Sequence, residues 1–165
     1  IVLKDKFFLK EDTYISDVYE WLNNRTPKLF EEAVKKIING DKFDLQKGKA
    51  HRTFPRKPSD AKLNFNKSID WNYKLIRASS RPLPGAFAFL NESDQKVTIF
   101  KAEPFDIDYD FSAVSGQIME KMDNEFSFLV AIKNKVLKIT EYSVNGLDTK
   151  NSYKVICSSM RNRLT

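Results

Sequence analysis

The sequence predicts an α+β fold, with helices gathered in its first half and strands in its second. Three observations carry this. Apolar residues recur at helical spacing in 15–22, 29–38 and 69–76. Beyond Ala86 the pattern switches to alternation, cleanest in Phe126, Phe128, Val130 and Ile132, with polar turns between the runs. A length of 165 residues, 41% hydrophobic and 13% aromatic, suffices for one compact domain or one domain with a smaller appended element.

Taken in order, Val2–Lys10 reads as a strand anchored by Phe7, Phe8 and Leu9. Asp12 or Thr13 is placed to cap a helix that carries Ile15, Val18, Tyr19 and Leu22 to Asn24. A second helix is expected from Thr26, with Pro27 in its first turn and Leu29, Phe30, Ala33, Val34, Ile37 and Ile38 as its stripe; Asn39-Gly40 stops it. From Asp41 to Ala61 apolar periodicity disappears, and Pro55 and Pro58 forbid a continuous helix. A further helix is expected over 66–78. It ends in Ser79-Ser80-Arg81-Pro82-Leu83-Pro84-Gly85, whose prolines and glycine enforce a defined bend. All that follows reads as strand: 86–90, 97–102, 116–122, 126–132 and 136–144. Five short strands with polar turns predict a small closed barrel, and an OB-like Greek-key barrel matches the size.

Composition excludes several classes. Five glycines and a 30% charged fraction are incompatible with collagen-like or low-complexity architecture. No apolar run is long enough for a membrane helix. Cys157 has no second cysteine to pair with, and with His51 alone it cannot build a zinc site, so no metal is expected. A reducing, cytoplasmic setting fits this usage. The opening residues show neither a signal peptide nor an initiator methionine, so the chain reads as cut from a larger protein.

The net charge of +6 is concentrated in one stretch. Residues 51–85 carry eight Lys/Arg against two Asp/Glu, whereas 1–50 and 86–165 are each within one charge of neutral. A cationic segment this local points to an anionic ligand, either nucleic-acid phosphate or the diphosphate of a nucleotide; a solvated linker and helix face is the plain alternative.

The same stretch carries a pattern. Arg56-Lys57-Pro58-Ser59-Asp60, Leu63-Asn64-Phe65, Ile76-Arg77-Ala78 and Pro82-Leu83-Pro84-Gly85-Ala86 follow one another in register. They resemble the joint between the two domains of the folate-dependent formyltransferases, a superfamily that includes methionyl-tRNA formyltransferase and the amino-sugar N-formyltransferases. Phe65 stands where that family usually has Trp, and Asn64 where it usually has Asp. The resemblance implies the end of a Rossmann-like α/β catalytic domain over 1–45, a linker over 46–64 and a C-terminal OB-like barrel over 65–165. It also implies 10-formyltetrahydrofolate as formyl donor, bound upstream of this chain. The Asn, His and Asp that do the family's chemistry match nothing here, so no catalytic residue is expected in this chain and a missing N-terminal catalytic domain is its implied partner.

Candidate substrate-binding residues are then Arg56, Asp60, Arg77 and Arg81. Arg56 and Asp60 are open to an ion pair that orders the connector, or Arg56 to a substrate phosphate. Arg77, at a helix C-terminus, suits the macrodipole and its loose carbonyls. Arg81, before the proline bend, is the better anion contact. Pro82, Pro84 and Gly85 read as the architectural turn. His51 reads as a loop histidine, Phe65 and Trp71 as core, Cys157 as a small buried hydrophobe, and Arg161 and Arg163 as solvated. The substrate implied is a nucleotide-linked amino sugar, because 79–87 looks more like the sugar enzymes and 86–165 is net −1, poor for gripping tRNA. Initiator tRNA is the alternative. A free-standing OB-like module for single-stranded nucleic acid is a second alternative, which would need exposed aromatics on the barrel face. No membrane partner is expected, and a homodimer stays open.

Overall fold

The computed structural model describes residues 1–165, and the chain divides into two compact units, Ile1–Arg56 and Lys57–Thr165. No helix is long and apolar enough to cross a membrane.

The first unit is built on one helix, α1 (Ile15–Ile38). Its entry is set by Asp17, whose carboxylate accepts from the Tyr14 backbone N–H at 2.8 Å, while Thr13 accepts from Lys10 N–H one turn earlier. Residues 1–10 lie against the helix without forming a strand: Phe7 meets Trp21 at 5.5 Å between ring centroids, and Arg25 pairs with both Asp5 and Glu32. Two expectations are corrected here. No strand runs through 2–10, because no neighbouring strand offers hydrogen-bond partners. The two helices expected on either side of Thr26 are one helix with Pro27 inside it. Pro27 removes one N–H, but it and Asn23 are exposed, so water can satisfy the carbonyl left over. No residue of α1 is buried; Phe30 and Ile38 are 71% and 78% exposed.

The second unit holds the core. A 3₁₀ turn at Pro58–Ala61 leads into α2 (Ile69–Ser79) and then five antiparallel strands: β1 (Ala86–Phe89), β2 (Lys96–Phe105), β3 (Ile118–Met122), β4 (Ser127–Ile132) and β5 (Lys135–Val144). They form one open sheet in the order β1-β2-β5-β4-β3. Alternation buries Ala86, Val97, Ile99, Phe128, Val130, Leu137 and Ile139 on one face, and Ile76 of α2 joins them in the core. β4 is buried on both faces, as its run of Phe, Leu, Val, Ala and Ile requires. The Tyr142 ring stacks edge-on against Phe128 at 4.9 Å, and its hydroxyl donates to the Phe126 carbonyl.

Two features depart from the sequence reading. β1 and β3, the margins of the sheet, do not pair with each other. Instead the C-terminal segment bonds to both: Thr165 exchanges backbone bonds with Phe89 at 2.8 Å each way, and Ile118 N–H donates to Asn162 O at 3.2 Å, with Leu164 N–H donating to Gly116 O at 2.8 Å just before β3. Gly116 is needed for that approach, since a Cβ there would collide with the Leu164 carbonyl and its φ is +88°. Second, a short helix α3 (Thr149–Ile156) follows β5, capped by Asp148, where only strand was expected. It packs Tyr153 and Ile156 into the core. The connector is ordered where it enters this unit: Ala61 and Leu63 are buried and Leu63 N–H donates to Phe87 O at 2.8 Å.

Candidate functional site

The motif-bearing stretch shapes one end of the second unit. Asp60 closes the 3₁₀ turn by accepting from Lys57 N–H at 2.7 Å, so its carboxylate orders the start of this unit. Leu63 and Phe65 then drop into the core, while Asn64 between them stays at the surface. Ser68 caps α2, accepting from Trp71 N–H at 3.2 Å. Asn72, fully buried, holds the segment before the helix: its Oδ1 accepts from Asn64 N–H at 3.0 Å, and its Nδ2 donates to the carbonyls of Asn64 and Ser68 at 2.9 and 3.0 Å. Sequence reading missed Asn72, and its one signal was a polar residue on the apolar face of a helix.

The turn after α2 is architectural. Ser79 and Ser80 are buried, Gly85 N–H donates to Ser79 O and Leu83 N–H to Ser80 O, and the Arg81–Pro82 peptide is cis. Gly85 has φ +93°, and a Cβ on it would stand 2.5 Å from the Thr98 methyl and 3.0 Å from the Phe100 ring. Phe100 is the extra residue of a bulge in β2, between the pairs Ile99↔Tyr142 and Lys101↔Glu141. The bulge sets Phe100 under the turn, and the Arg81 guanidinium lies over its ring at 4.0 Å. Arg81 Nε also donates to Glu141 at 2.9 Å, with Lys101 on the other carboxylate oxygen at 3.3 Å. Partial burial pushes the Glu141 carboxyl up, but the Arg81 and Lys101 hydrogen bonds outweigh it and hold the group below the ordinary glutamate range.

Sequence-predicted residues therefore part company. Arg77 sits in the last turn of α2 with its guanidinium over Tyr73 at 4.7 Å. Arg81 faces Glu141, and Asp60 caps the 3₁₀ turn. Arg56 and His51 are exposed in the first unit. Phe65 is core as expected, but Trp71 is 40% exposed, because it falls off the buried face set by Asn72 and Ile76. No cluster of His, Cys, Asp and Glu is placed to hold a metal ion.

A cleft of about 710 Å³ opens where the connector and the C-terminal segment meet. Asp60, Lys62 and Asn64 line one wall, Trp71 stands beside them, and Glu92 and Arg163 come from the β1–β2 turn and the C-terminal segment. Of the predicted candidates only Asp60 reaches this cleft. Arg163, expected to be merely solvated, is fixed there by its Nε, which donates to Ser115 O at 2.9 Å.

Comparison with known families decides the affiliation. A family model described as "Formyl transferase, C-terminal domain" matches residues 56–158. The chain belongs to the formyl transferase C-terminal domain family. The match starts beside the boundary between the two units and spans the connector, α2, the sheet and α3. The chain is also 30% identical over 118 residues to the bifunctional polymyxin resistance protein ArnA of Wigglesworthia glossinidia brevipalpis, a region that is 72% of this chain and 16% of that protein. The chain thus matches about a sixth of the length of that relative. The five-stranded antiparallel sheet with its leading helix is the part of a formyltransferase described here.

Proposed function

We propose that the chain is the C-terminal portion of a 10-formyltetrahydrofolate-dependent N-formyltransferase acting on a nucleotide-linked amino sugar. In this reading residues 1–45 end the catalytic domain, and α1 leaves Phe30, Ile37 and Ile38 exposed because other residues of that domain would cover them. The observation that favours a sugar nucleotide over tRNA is how four of the six cations of 57–85 are engaged. Lys62 lies over Phe89, Lys74 pairs with Asp70, Arg77 covers Tyr73 and Arg81 pairs with Glu141. Cations each turned to a different neighbour make a poor continuous track for a polyanion, which needs several aimed outward together. The name of the matched relative, a polymyxin resistance protein, belongs to antibiotic resistance and not to translation.

The formyl donor does not fit the cleft of the second unit. The N–H groups of Lys62, Leu63, Asn64 and Asn66 along its wall are already bonded within the chain, leaving no row of donors for the edge of a pterin. No chemical step is therefore routed through these residues. Their part in this reading is to fix the joint, with Arg56 and the terminal amino groups of Arg81, whose Nε alone donates to Glu141, as the groups offered to substrate phosphate. Initiator tRNA is the second reading, favoured by one observation: 47–57 is exposed throughout, with Arg52 and Arg56 flanking a Phe54 that is 96% exposed.

The test assays the complete protein that contains this chain with 10-formyltetrahydrofolate. The amine substrates are nucleotide-linked amino sugars and, separately, methionyl initiator tRNA. Formylation of a sugar nucleotide, with binding that falls shallowly as salt rises, is expected. Formylation of the tRNA alone, with a steep salt dependence, would replace this reading by the second.

A further inference from the structure

The outer edge of β1 is taken by two segments that do not touch it elsewhere in the sequence. Lys62 and Leu63 dock at Phe87, and Thr165 and Arg163 bond to Phe89 and Asn91. The cleft lies where they meet, and three kinds of group line it. One is a flat ring: the Trp71 indole is 40% exposed, and its N–H is bonded to nothing in the chain. Leaving so large an apolar surface in water forgoes stabilisation that burial would give.

The second kind is cationic. The Lys62 ammonium stands 5.2 Å from the centre of the Phe89 ring, a contact that leaves its three donors available. Arg163 is anchored through Nε alone, so its two terminal amino groups keep their donors. The backbones carrying these cations are bonded at Phe87 and Asn91, a separation of at most about 13 Å. Two long side chains can close that gap onto one phosphate, or a diphosphate can bridge it.

The third kind is acidic. Glu92 has φ +57° and follows Asn91 at φ +53°, in a turn closed by Ser93 N–H on Leu90 O. Two central residues with positive φ make the tight hairpin turn in which glycine ordinarily takes the second place. Glu92 is held there at a conformational cost, and its carboxylate has no partner in the chain. A carboxylate of this kind accepts from a vicinal diol. The wall opposite is rigid, since the buried Asn72 fixes Asn64 from both sides.

We propose that this cleft binds a nucleotide, with the base against Trp71, the ribose hydroxyls at Glu92 and the phosphate between Lys62 and Arg163. The site needs no catalytic group and lies wholly within the second unit. It stands independently of the activity proposed above.

The 165-residue chain is titrated with UDP, dTDP, GDP and ADP, and with pyrophosphate and uridine as probes of each half alone. Heat of binding is followed together with tryptophan emission, in a Trp21→Phe background so that only Trp71 reports. Saturable binding of at least one nucleotide with quenching of Trp71 is expected, with pyrophosphate and uridine each much weaker. Lys62→Gln, Arg163→Gln and Trp71→Ala should each weaken it about tenfold, the loss of one charged hydrogen bond or one stacked ring. The thermal midpoint of each variant shows that the fold is kept. No saturable binding of any of the nucleotides up to about 5 mM, binding indifferent to Trp71→Ala, or pyrophosphate binding as tightly as the nucleotides would each overturn the proposal. Because the readout is binding by this chain alone, its failure is distinguishable from a failure to formylate sugars.

Discussion

Asn72 and Asn64 form a reciprocal pair in which the buried carboxamide both accepts from the Asn64 N–H and donates to the Asn64 carbonyl. A side chain thereby plays the part of a neighbouring strand for one residue. This pins the connector at the point where it enters α2, with Leu63 and Phe65 in the core on either side.

Asn72→Ala should be among the most damaging polar substitutions in the domain. It leaves the Asn64 N–H and carbonyl, both partly buried, without their partner, whereas the Ser68 carbonyl keeps the Asn72 backbone N–H; a group left unpaired away from water costs about 1–3 kcal/mol. We expect a loss of about 2–4 kcal/mol, read from urea unfolding of the chain. A loss indistinguishable from that of an exposed Asn→Ala control would show that Asn72 does not hold the connector.

Gly85→Ala should destabilise for two separable reasons. The backbone sits at φ +93°, and the new methyl meets the Thr98 methyl and the Phe100 ring. Overpacking and backbone strain together cost about 2 kcal/mol or more. Thr98→Ser removes the nearer methyl, so the double variant should recover the Thr98 share of the steric cost and keep the Phe100 contact and the backbone part. Full additivity of the two substitutions would contradict this account.

The link between Arg81 and Glu141 should fade in acid. The Glu141 carboxyl titrates below its ordinary 4.5 when folded, so its contribution is complete above that value and is lost as pH falls through the lower, folded one. Both partners are partly in water, so the contribution is within about 1 kcal/mol. Glu141→Gln should flatten the stability profile below pH 4.5 and leave its slope near neutrality unchanged. An unchanged acid slope would remove Glu141 from the account.

Cys157 should be inert in the folded protein. Burial pushes its thiol up to about 11, against smaller downward pulls from a Tyr153 hydrogen bond and the Lys121 charge. At pH 8 nearly all of it is the unreactive thiol. Labelling by a disulfide reagent should be slow in buffer and complete within minutes in denaturant. Rapid stoichiometric labelling of the native chain would show that the site is open.

The sheet was legible because alternation is a strong local signal: all five strands lie within a few residues of where Phe126–Ile132 and its neighbours placed them. The helical front was less so. Thr26-Pro27 is a good helix start in isolation, and only the exposure of Pro27 and Asn23 shows why the helix runs through it. α3 was hidden because Thr149–Ile156 is two turns long, too short for its periodicity to stand out from the strand before it. The candidate site was the least legible part. Cationic residues announced themselves by number, but whether each meets Phe89, Tyr73 or Glu141 depends on contacts distant in sequence. Arg163 and Glu92 meet at the cleft only because the last residues return to β1.

That return has a kinetic side. Thr165 and Phe89 are separated by 76 residues, whereas β4 and β5 are joined by a turn at Lys133-Asn134. Loop-closure entropy rises with the length enclosed, so hairpins assemble early and the seam at the C-terminal segment zips late. During refolding the amides of Phe128–Ile132 should gain protection from hydrogen exchange before those of Phe89 and Asn91. Until residues 162–165 fold back, both margins of the sheet stand open to neighbouring molecules.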